Sequence, residues 1–362
     1  MANTRIYNFS SGPSTLPLAA LEKAAAEMTN FRGSGMSVME MSHRSKTYIA
    51  IFDETKARLK SALNIPDTHE ILFMQGGATF QFSAVPLNLM GENGAADYAV
   101  TGNFSNVAAK EAKKYGTVNI AATSEDCGHT YIPSQEQLVL NPGAKYFHYC
   151  ANNTIYGTEW KYVPETNGVP LVSDMSSNIL SRPVDVSKYG VIYAGVQKNM
   201  GPAGMAVVII DKAISGAELP FTPKCMSYKT AIDKDSMDNT PPCYTIYMLG
   251  LVLEWLESQG GIAGMEQIKK AKAKLLYDFI DGSKLFTGCA EPAARSDMNV
   301  TFSSGSEERD ALFVKEAAAV GLETLKGHRS VGKIRASIYN AMPMEGVEAL
   351  VSFMKDFEVK NK

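Results

Sequence analysis

Short apolar runs that end in glycine or a small polar residue punctuate the first two thirds of the chain. Residues 71–74, 96–100, 146–150, 169–173, 205–210 and the run opening at Val191 read as buried strands. Between them lie helical patterns. Residues 18–28 are alanine-rich, and residues 44–63 carry Ile51, Phe52, Leu59 and Leu63 at three- and four-residue steps. Ser105 reads as the N-cap of a helix reaching Tyr115, with Gly116 as its stop. A helix opening near Phe80 should be interrupted or kinked by Pro86. Strands alternating with helices argue for a mostly parallel sheet covered on both faces, with ligands outside the strand carboxyl ends.

The pattern changes after Gly260. Helices at 264–280, 307–319 and 346–357 alternate with strands at 298–302 and 334–338, a unit of roughly 100 residues. The glycine-rich stretch 258–264 marks the junction. The expected class is α/β: a large domain over residues 16–260 and a smaller C-terminal α+β domain over 261–362, joined by the N-terminal segment 1–15.

Composition narrows the function classes. With 45% hydrophobic and 20% charged residues the chain is an ordinary globular one, and 362 residues can bury a large core. A net charge of −3 gives no general attraction to nucleic acid or anionic membrane. The most apolar long stretch, 245–256, is too short to span a bilayer and carries Glu254. The first residues lack a signal-peptide core. Cysteines 127, 150, 225, 243 and 289 form no Cys-x-x-Cys pair, so neither a disulfide framework nor a zinc site is expected, and a reducing cytoplasm is.

Candidate chemistry gathers after the strands. Lys198 stands in a glycine-containing loop between two buried strands, where a cation needs a partner or a reaction. It is a candidate Schiff-base lysine, with a surface-loop lysine as the plainer alternative. Asp174 closes another strand; it reads as a loop acid, a helix cap, a metal ligand (for which the sequence shows too few carboxylates or histidines nearby), or the partner that keeps a pyridine nitrogen protonated in a pyridoxal-phosphate enzyme. Gly76-Gly77-Ala78-Thr79 turns into a helix whose N-terminus could cradle a phosphate. No Walker or Gly-x-Gly-x-x-Gly motif is present, which disfavours nucleotides. His43-Arg44, His328-Arg329 and Arg335 are candidate anion-binding groups for a substrate with two anionic ends. Ser330-x-x-Lys333 matches a serine-hydrolase pattern but lies in a glycine-flanked turn and reads as accidental.

Several of these segments carry a resemblance that spans nearly the whole chain. They are Asn8-Phe9-Ser10-Ser11-Gly12-Pro13, Met41-Ser42-His43-Arg44, Asp174-Met175-Ser176-Ser177, Tyr193 to Asn199, Asn239-Thr240-Pro241-Pro242, and Gly327-His328-Arg329 through Arg335 to Ala341. In this order they resemble the phosphoserine aminotransferases, class V aminotransferases of fold type I. The resemblance implies a homodimer with shared active sites that uses pyridoxal 5'-phosphate. It implies the reaction O-phospho-L-serine + 2-oxoglutarate = 3-phosphooxypyruvate + L-glutamate in serine biosynthesis. It also brings 4-phosphooxy-L-threonine, in pyridoxine biosynthesis, into view as a second substrate.

By the same resemblance Lys198 is the Schiff-base lysine, Asp174 the pyridinium partner, and Gln197 and Thr154 hydrogen-bond the cofactor, with Ala78 and Thr79 at its phosphate. Asn239 and Thr240 reach the cofactor phosphate of the partner subunit. Ser11, His43, Arg44, His328, Arg329 and Arg335 form the substrate-anion set, Arg335 holding the α-carboxylate. Two positions depart from the pattern. Phe104 stands where many relatives have tryptophan stacked on the cofactor ring, and Thr79 stands where some have arginine. The alternatives are another fold-type I enzyme, such as a desulfurase, or a non-catalytic binder of phosphorylated ligands.

Overall fold

The computed structural model describes residues 5–329 and 331–361. Residues 1–4, Ser330 of the Ser330-x-x-Lys333 pattern, and Lys362 lie outside the described residues. A seven-stranded sheet organises the first two thirds. Its spatial order is His69–Gln75, Met205–Asp211, Val191–Gly195, Leu171–Asp174, Ala144–Cys150, Ala95–Val100, Thr117–Thr123. Met205–Asp211 runs antiparallel to both neighbours, and the remaining pairs are parallel. Side chains alternate between the faces, as strand geometry requires. Phe73, Ile192, Ala194, Val207 and Ile209 enter one core, and Leu72, Val191, Tyr193, Val208 and Ile210 the other. Burial on both faces explains why these strands read as unbroken apolar runs.

Three local expectations change. The helix at Pro86 is Gly77–Leu89; it starts earlier than expected because Gly76 and Gly77, at φ 93° and 68°, turn the chain directly out of the strand. Pro86 falls in the closing turn, and the helix runs only to Leu89 beyond it. Ser105 is not the N-cap. The helix is Asn103–Ala112, and the Ser105 hydroxyl reaches back to accept from the amides of Thr101 and Gly102, both at 3.1 Å. Gly102 takes the cap position because a Cβ there would come within 2.8 Å of Asn153 Oδ1. The apolar stretch 245–256 belongs to the helix Cys243–Ser258, which packs against Lys46–Ala62 and Leu18–Ala26. That burial accounts for its apolar character.

The C-terminal third builds a three-stranded antiparallel sheet from Thr287–Gly288, Asn299–Ser303 and Ile334–Ser337. Gly261–Gly282, Glu307–Ala319 and Met344–Lys360 are its helices. Phe286, Phe302, Phe313 and Phe357 form its centre, with edge-to-face pairs at centroid distances of 5.1 to 5.9 Å. Phe9 enters this core, and Tyr7–Asn8 pairs with Leu322–Glu323, so the start of the chain is sewn to its end. Among the described residues no helix is long and apolar enough to cross a membrane, and no group of three His, Cys, Asp or Glu could hold a metal.

One buried charge joins the two parts. Glu159 is 1% exposed, bonds the Asn178 amide group, and accepts from the backbone N–H of Asp297. Burial opposes its charge, yet Lys161, Arg182 and Lys269 overcome that and hold its carboxyl down to about 2. A folded-state pKa below the unfolded value contributes stability that is present above pH 4.5 and lost as pH falls toward 2. Glu159→Gln is expected to destabilise the chain at pH 7 by about 3 kcal/mol. The difference from the parent should shrink in urea titrations run progressively below pH 4.5; a difference constant with pH would refute this account.

Candidate active site

The sheet delivers its chemistry at the carboxyl ends of its parallel strands. Asp174 is the last residue of its strand, and Lys198 follows Val191–Gly195 by three residues. Thr154 lies past Ala144–Cys150, and Phe104 past Ala95–Val100. Such ends converge on one crevice in open α/β sheets.

Lys198 Nζ donates to Thr154 Oγ1 and Ser177 Oγ, each at 2.8 Å, and those two hydroxyls lie 2.6 Å apart. Both are neutral groups on buried residues, so the amine is held in place without a carboxylate partner. The Phe104 ring centroid is 5.6 Å from Nζ. With 38% of Phe104 exposed, this residue is a wall of the crevice and not a core side chain.

Asp174 Oδ1 accepts from the Ser176 amide at 2.9 Å and the Ser176 hydroxyl at 2.6 Å, while the Cys150 thiol faces Oδ2 at 3.9 Å. Ser176 Oγ in turn accepts from the Gly195 amide at 2.9 Å, which ties two strand ends together. Burial raises the Asp174 pKa, and neither the Ser176 bonds nor the charge of Lys198 restores it. The site therefore holds a buried carboxyl that a further cation would stabilise.

Arg335, on Ile334–Ser337, crosses from the smaller sheet. It donates from Nη2 to Ser11 Oγ at 2.8 Å and from Nη1 to the Thr154 carbonyl at 3.5 Å, while Nε is buried without a protein partner. Burial lowers its pKa, and Tyr339 opposes that. Tyr339 also donates its hydroxyl to the Ser11 carbonyl at 2.8 Å. Arg335 thus meets Thr154, which meets Lys198, and among the described residues no carboxylate is bonded to its guanidinium. His328 sits half-buried near Arg335; burial, then the charges of Arg335 and Arg329, lower its pKa. Arg329 is exposed.

The remaining candidates divide. Gln197 Oε1 is buried without a partner, and a Cβ on Gly195 would lie 2.8 Å from it and 3.3 Å from the Ala78 Cβ. Gln197, Gly195 and Ala78 are therefore neighbours. Thr79 is exposed in the first turn of Gly77–Leu89. Asn239 and Thr240 are exposed and packed on the end of a strand: Gln75 donates to the Thr240 carbonyl at 2.6 Å, and Asn239 Nδ2 lies 3.5 Å from Gln75 Oε1. His43 is half-buried with its Nε2 unpartnered, and Arg44 is exposed. Among the described residues no hydrogen bond or ion pair joins His43, Arg44, Asn239 or Thr240 to Lys198, Asp174 or Arg335. Sequence reasoning passed over Ser176, Ser177 and Tyr339 as site groups. The two serines stood inside a quoted motif, but nothing in a linear pattern says which hydroxyl faces which amine.

Residues 6–350 match the family described as Aminotransferase class-V. The chain is 52% identical over 359 residues to phosphoserine aminotransferase of Janthinobacterium sp. (strain Marseille), covering 98% of this chain and 99% of that protein. The phosphoserine aminotransferase structure from Bacillus circulans subsp. alkalophilus is 45% identical with a TM-score of 0.97, covering 99% of both chains. The pyridoxal-phosphate-bound phosphoserine aminotransferase from Trichomonas vaginalis is 44% identical with a TM-score of 0.93, covering 97% of this chain and all of that one.

A carboxyl whose folded-state pKa is raised contributes stability that is complete below the unfolded value, about 3.9, and is lost as pH rises through the folded one. In the cofactor-free chain Asp174→Asn should therefore be at least as stable as the parent at pH 7, and should flatten the decline above pH 4. Urea midpoints across pH 4 to 8 check this; a marked loss of stability at pH 7 would contradict it.

Proposed function

Because the chain belongs to the class-V aminotransferases, we propose that its Lys198–Asp174 crevice moves an amino group from O-phospho-L-serine to 2-oxoglutarate. The activity is that of a phosphoserine aminotransferase, in serine biosynthesis. The observation that carries the reading is the buried Asp174 carboxyl, which lacks a stabilising cation and shares its crevice with an amine held only by hydroxyls.

Pyridoxal 5'-phosphate fits these residues. The unpartnered Gln197 Oε1 and the buried Asp174 both need a polar group that the chain does not supply. The turn at Gly76 admits no side chain, since a Cβ there would lie 2.4 Å from the Phe80 ring, and the amides of Gly77, Ala78 and Thr79 open a helix. When bound, this cofactor supplies an electron sink for the pair left when the substrate α-proton departs. Asp174 would hold the ring nitrogen of the cofactor in its protonated form. Lys198 Nζ would hold the cofactor and would serve as the base for the substrate α-proton. Thr154 and Ser177 fix the position from which Nζ works. Phe104 stacks with less area than tryptophan would, and Thr79 offers a hydroxyl but no charge.

Arg335 receives the α-carboxylate shared by both substrates, with Ser11 beside it. His328, Arg329, His43 and Arg44 meet the distal phosphate or γ-carboxylate. Both substrates use this one site in turn, so the kinetics are ping-pong. The functional unit is a cytoplasmic homodimer. The exposure of Asn239 and Thr240 in a single chain supports their serving the cofactor phosphate of the partner subunit. The division into residues 16–260 and 261–362 agrees with the separate aromatic core of the second part.

Lys198→Ala is expected to abolish turnover. In the parent, the visible band of the bound cofactor should fall on adding O-phospho-L-serine and return on adding 2-oxoglutarate. A band moved by glutamate but not by phosphoserine would reject this substrate. The same titration with 4-phosphooxy-L-threonine reads out the second one. The shared site has its own check: mixing Lys198→Ala with Asn239→Ala/Thr240→Ala should restore about a quarter of parental activity, since half of randomly paired dimers carry one complete site of two. No restoration would place both sets on one chain.

A further inference from the structure

Lys272, on Gly261–Gly282, is a lysine with 0% exposure, and no carboxylate is bonded to it. Its ammonium donates to three backbone carbonyls of one turn: Tyr339 at 2.7 Å, Asn340 at 3.2 Å and Met342 at 2.8 Å. An ammonium has three donors, and this turn supplies an acceptor for each. Burial pulls the Lys272 pKa down to about 7, so placing the charge here is costly. A leucine or methionine would fill the space but would leave those carbonyls without this donor, so the three bonds account for a lysine here.

The turn it grips reaches the reaction site by two routes. The Asn340 amide donates to Asn199 Oδ1 at 3.1 Å, and Asn199, the residue after Lys198, donates to the carbonyls of Ser177 at 3.1 Å and Ile179 at 2.9 Å. Asn340 Nδ2 donates to the Leu180 carbonyl at 2.9 Å. Ser177 is the residue whose hydroxyl holds the Lys198 amine. By the second route, Tyr339 directly precedes Asn340 and donates to the Ser11 carbonyl, while the Ser11 hydroxyl accepts from Arg335. One backbone turn thus sets the position of the loop behind Lys198 and of the serine beside Arg335.

We propose that Lys272 is a positioning residue for substrate binding: by gripping the Tyr339–Met342 turn it registers Arg335 and Ser11 against the Lys198 loop. The neighbouring buried lysine has another task. Lys269, one helical turn earlier, is 2% exposed and pairs with Asp297 at 3.1 Å. It makes no hydrogen bond to the 339–342 turn among the described residues, and so serves as the control.

The inference rests on the transamination reading, and the test separates the two. Lys272→Met, Asn340→Ala and Lys269→Met are assayed as holoenzymes with O-phospho-L-serine and 2-oxoglutarate. Amide hydrogen exchange is followed over residues 334–342. Lys272→Met and Asn340→Ala should each raise KM for both substrates in parallel by about tenfold, because both present an α-carboxylate to Arg335. The fall in kcat should be smaller, and exchange in the turn should quicken. The double variant should be clearly less than additive in log KM, since both changes release the same turn. Lys269→Met should lower the melting temperature without this KM signature. Unchanged KM in either turn variant, or the same rise in Lys269→Met, would overturn the proposal. Should Lys272→Met fail to fold, Asn340→Ala decides alone. A parent enzyme inactive on phosphoserine would instead overturn the functional reading.

Discussion

A carboxyl buried at the end of a central strand governs the rest of this molecule. Asp174 is surrounded by hydroxyl, thiol and amide donors, and its burial is not repaid within the chain. Such a group is tolerated when it is completed by a cation from outside, and a protonated pyridine ring is one. The neighbouring strand ends supply what that ring would need: an amine at Lys198, hydroxyls at Thr154 and Ser177, and an aromatic wall at Phe104. The stability withheld at Asp174 and the affinity gained there are two faces of one electrostatic arrangement.

The other part of the chain reaches this crevice through Arg335. Arg335 leaves the smaller sheet to touch Ser11 and Thr154, so the site closes only where three distant segments meet. This explains why the two parts are held by buried polar contacts and not by apolar packing alone. Glu159 receives Lys161 and Arg182 from its own part and the Asp297 amide from the other. Asn152 donates to Asn299, and Asn299 to Tyr339. Directional bonds specify one relative placement, whereas apolar contact tolerates sliding.

The strands were legible because burial on both faces favours apolar residues, and the runs at 191–194 and 205–210 show this plainly. The edge strand Thr117–Thr123 was not: only Ala121 and Ala122 in it are buried, and Asn119 interrupts its apolar residues. The cap at Gly102 was hidden because its reason is a contact with Asn153, fifty-one positions on. Lys198, Asp174, Gln197 and Arg335 were legible as candidates from residue type, position after strands and family resemblance. Ser176 and Ser177, which hold Asp174 and Lys198, were not, since a serine in a loop has many uses and only distance selects one.

Local chemistry therefore determined, from the sequence by itself, where most strands and helices lie and which residues could carry the reaction. Periodicity and propensity act over a few residues, and a linear pattern records them. The tertiary structure decided which candidates share a crevice, that Lys198 is held by hydroxyls, that Asp174 is left short of a cation, and that Lys272 is buried against backbone carbonyls. Those are distances between residues remote in the chain, and the burial and pKa shifts that follow from them arise only when the chain is folded.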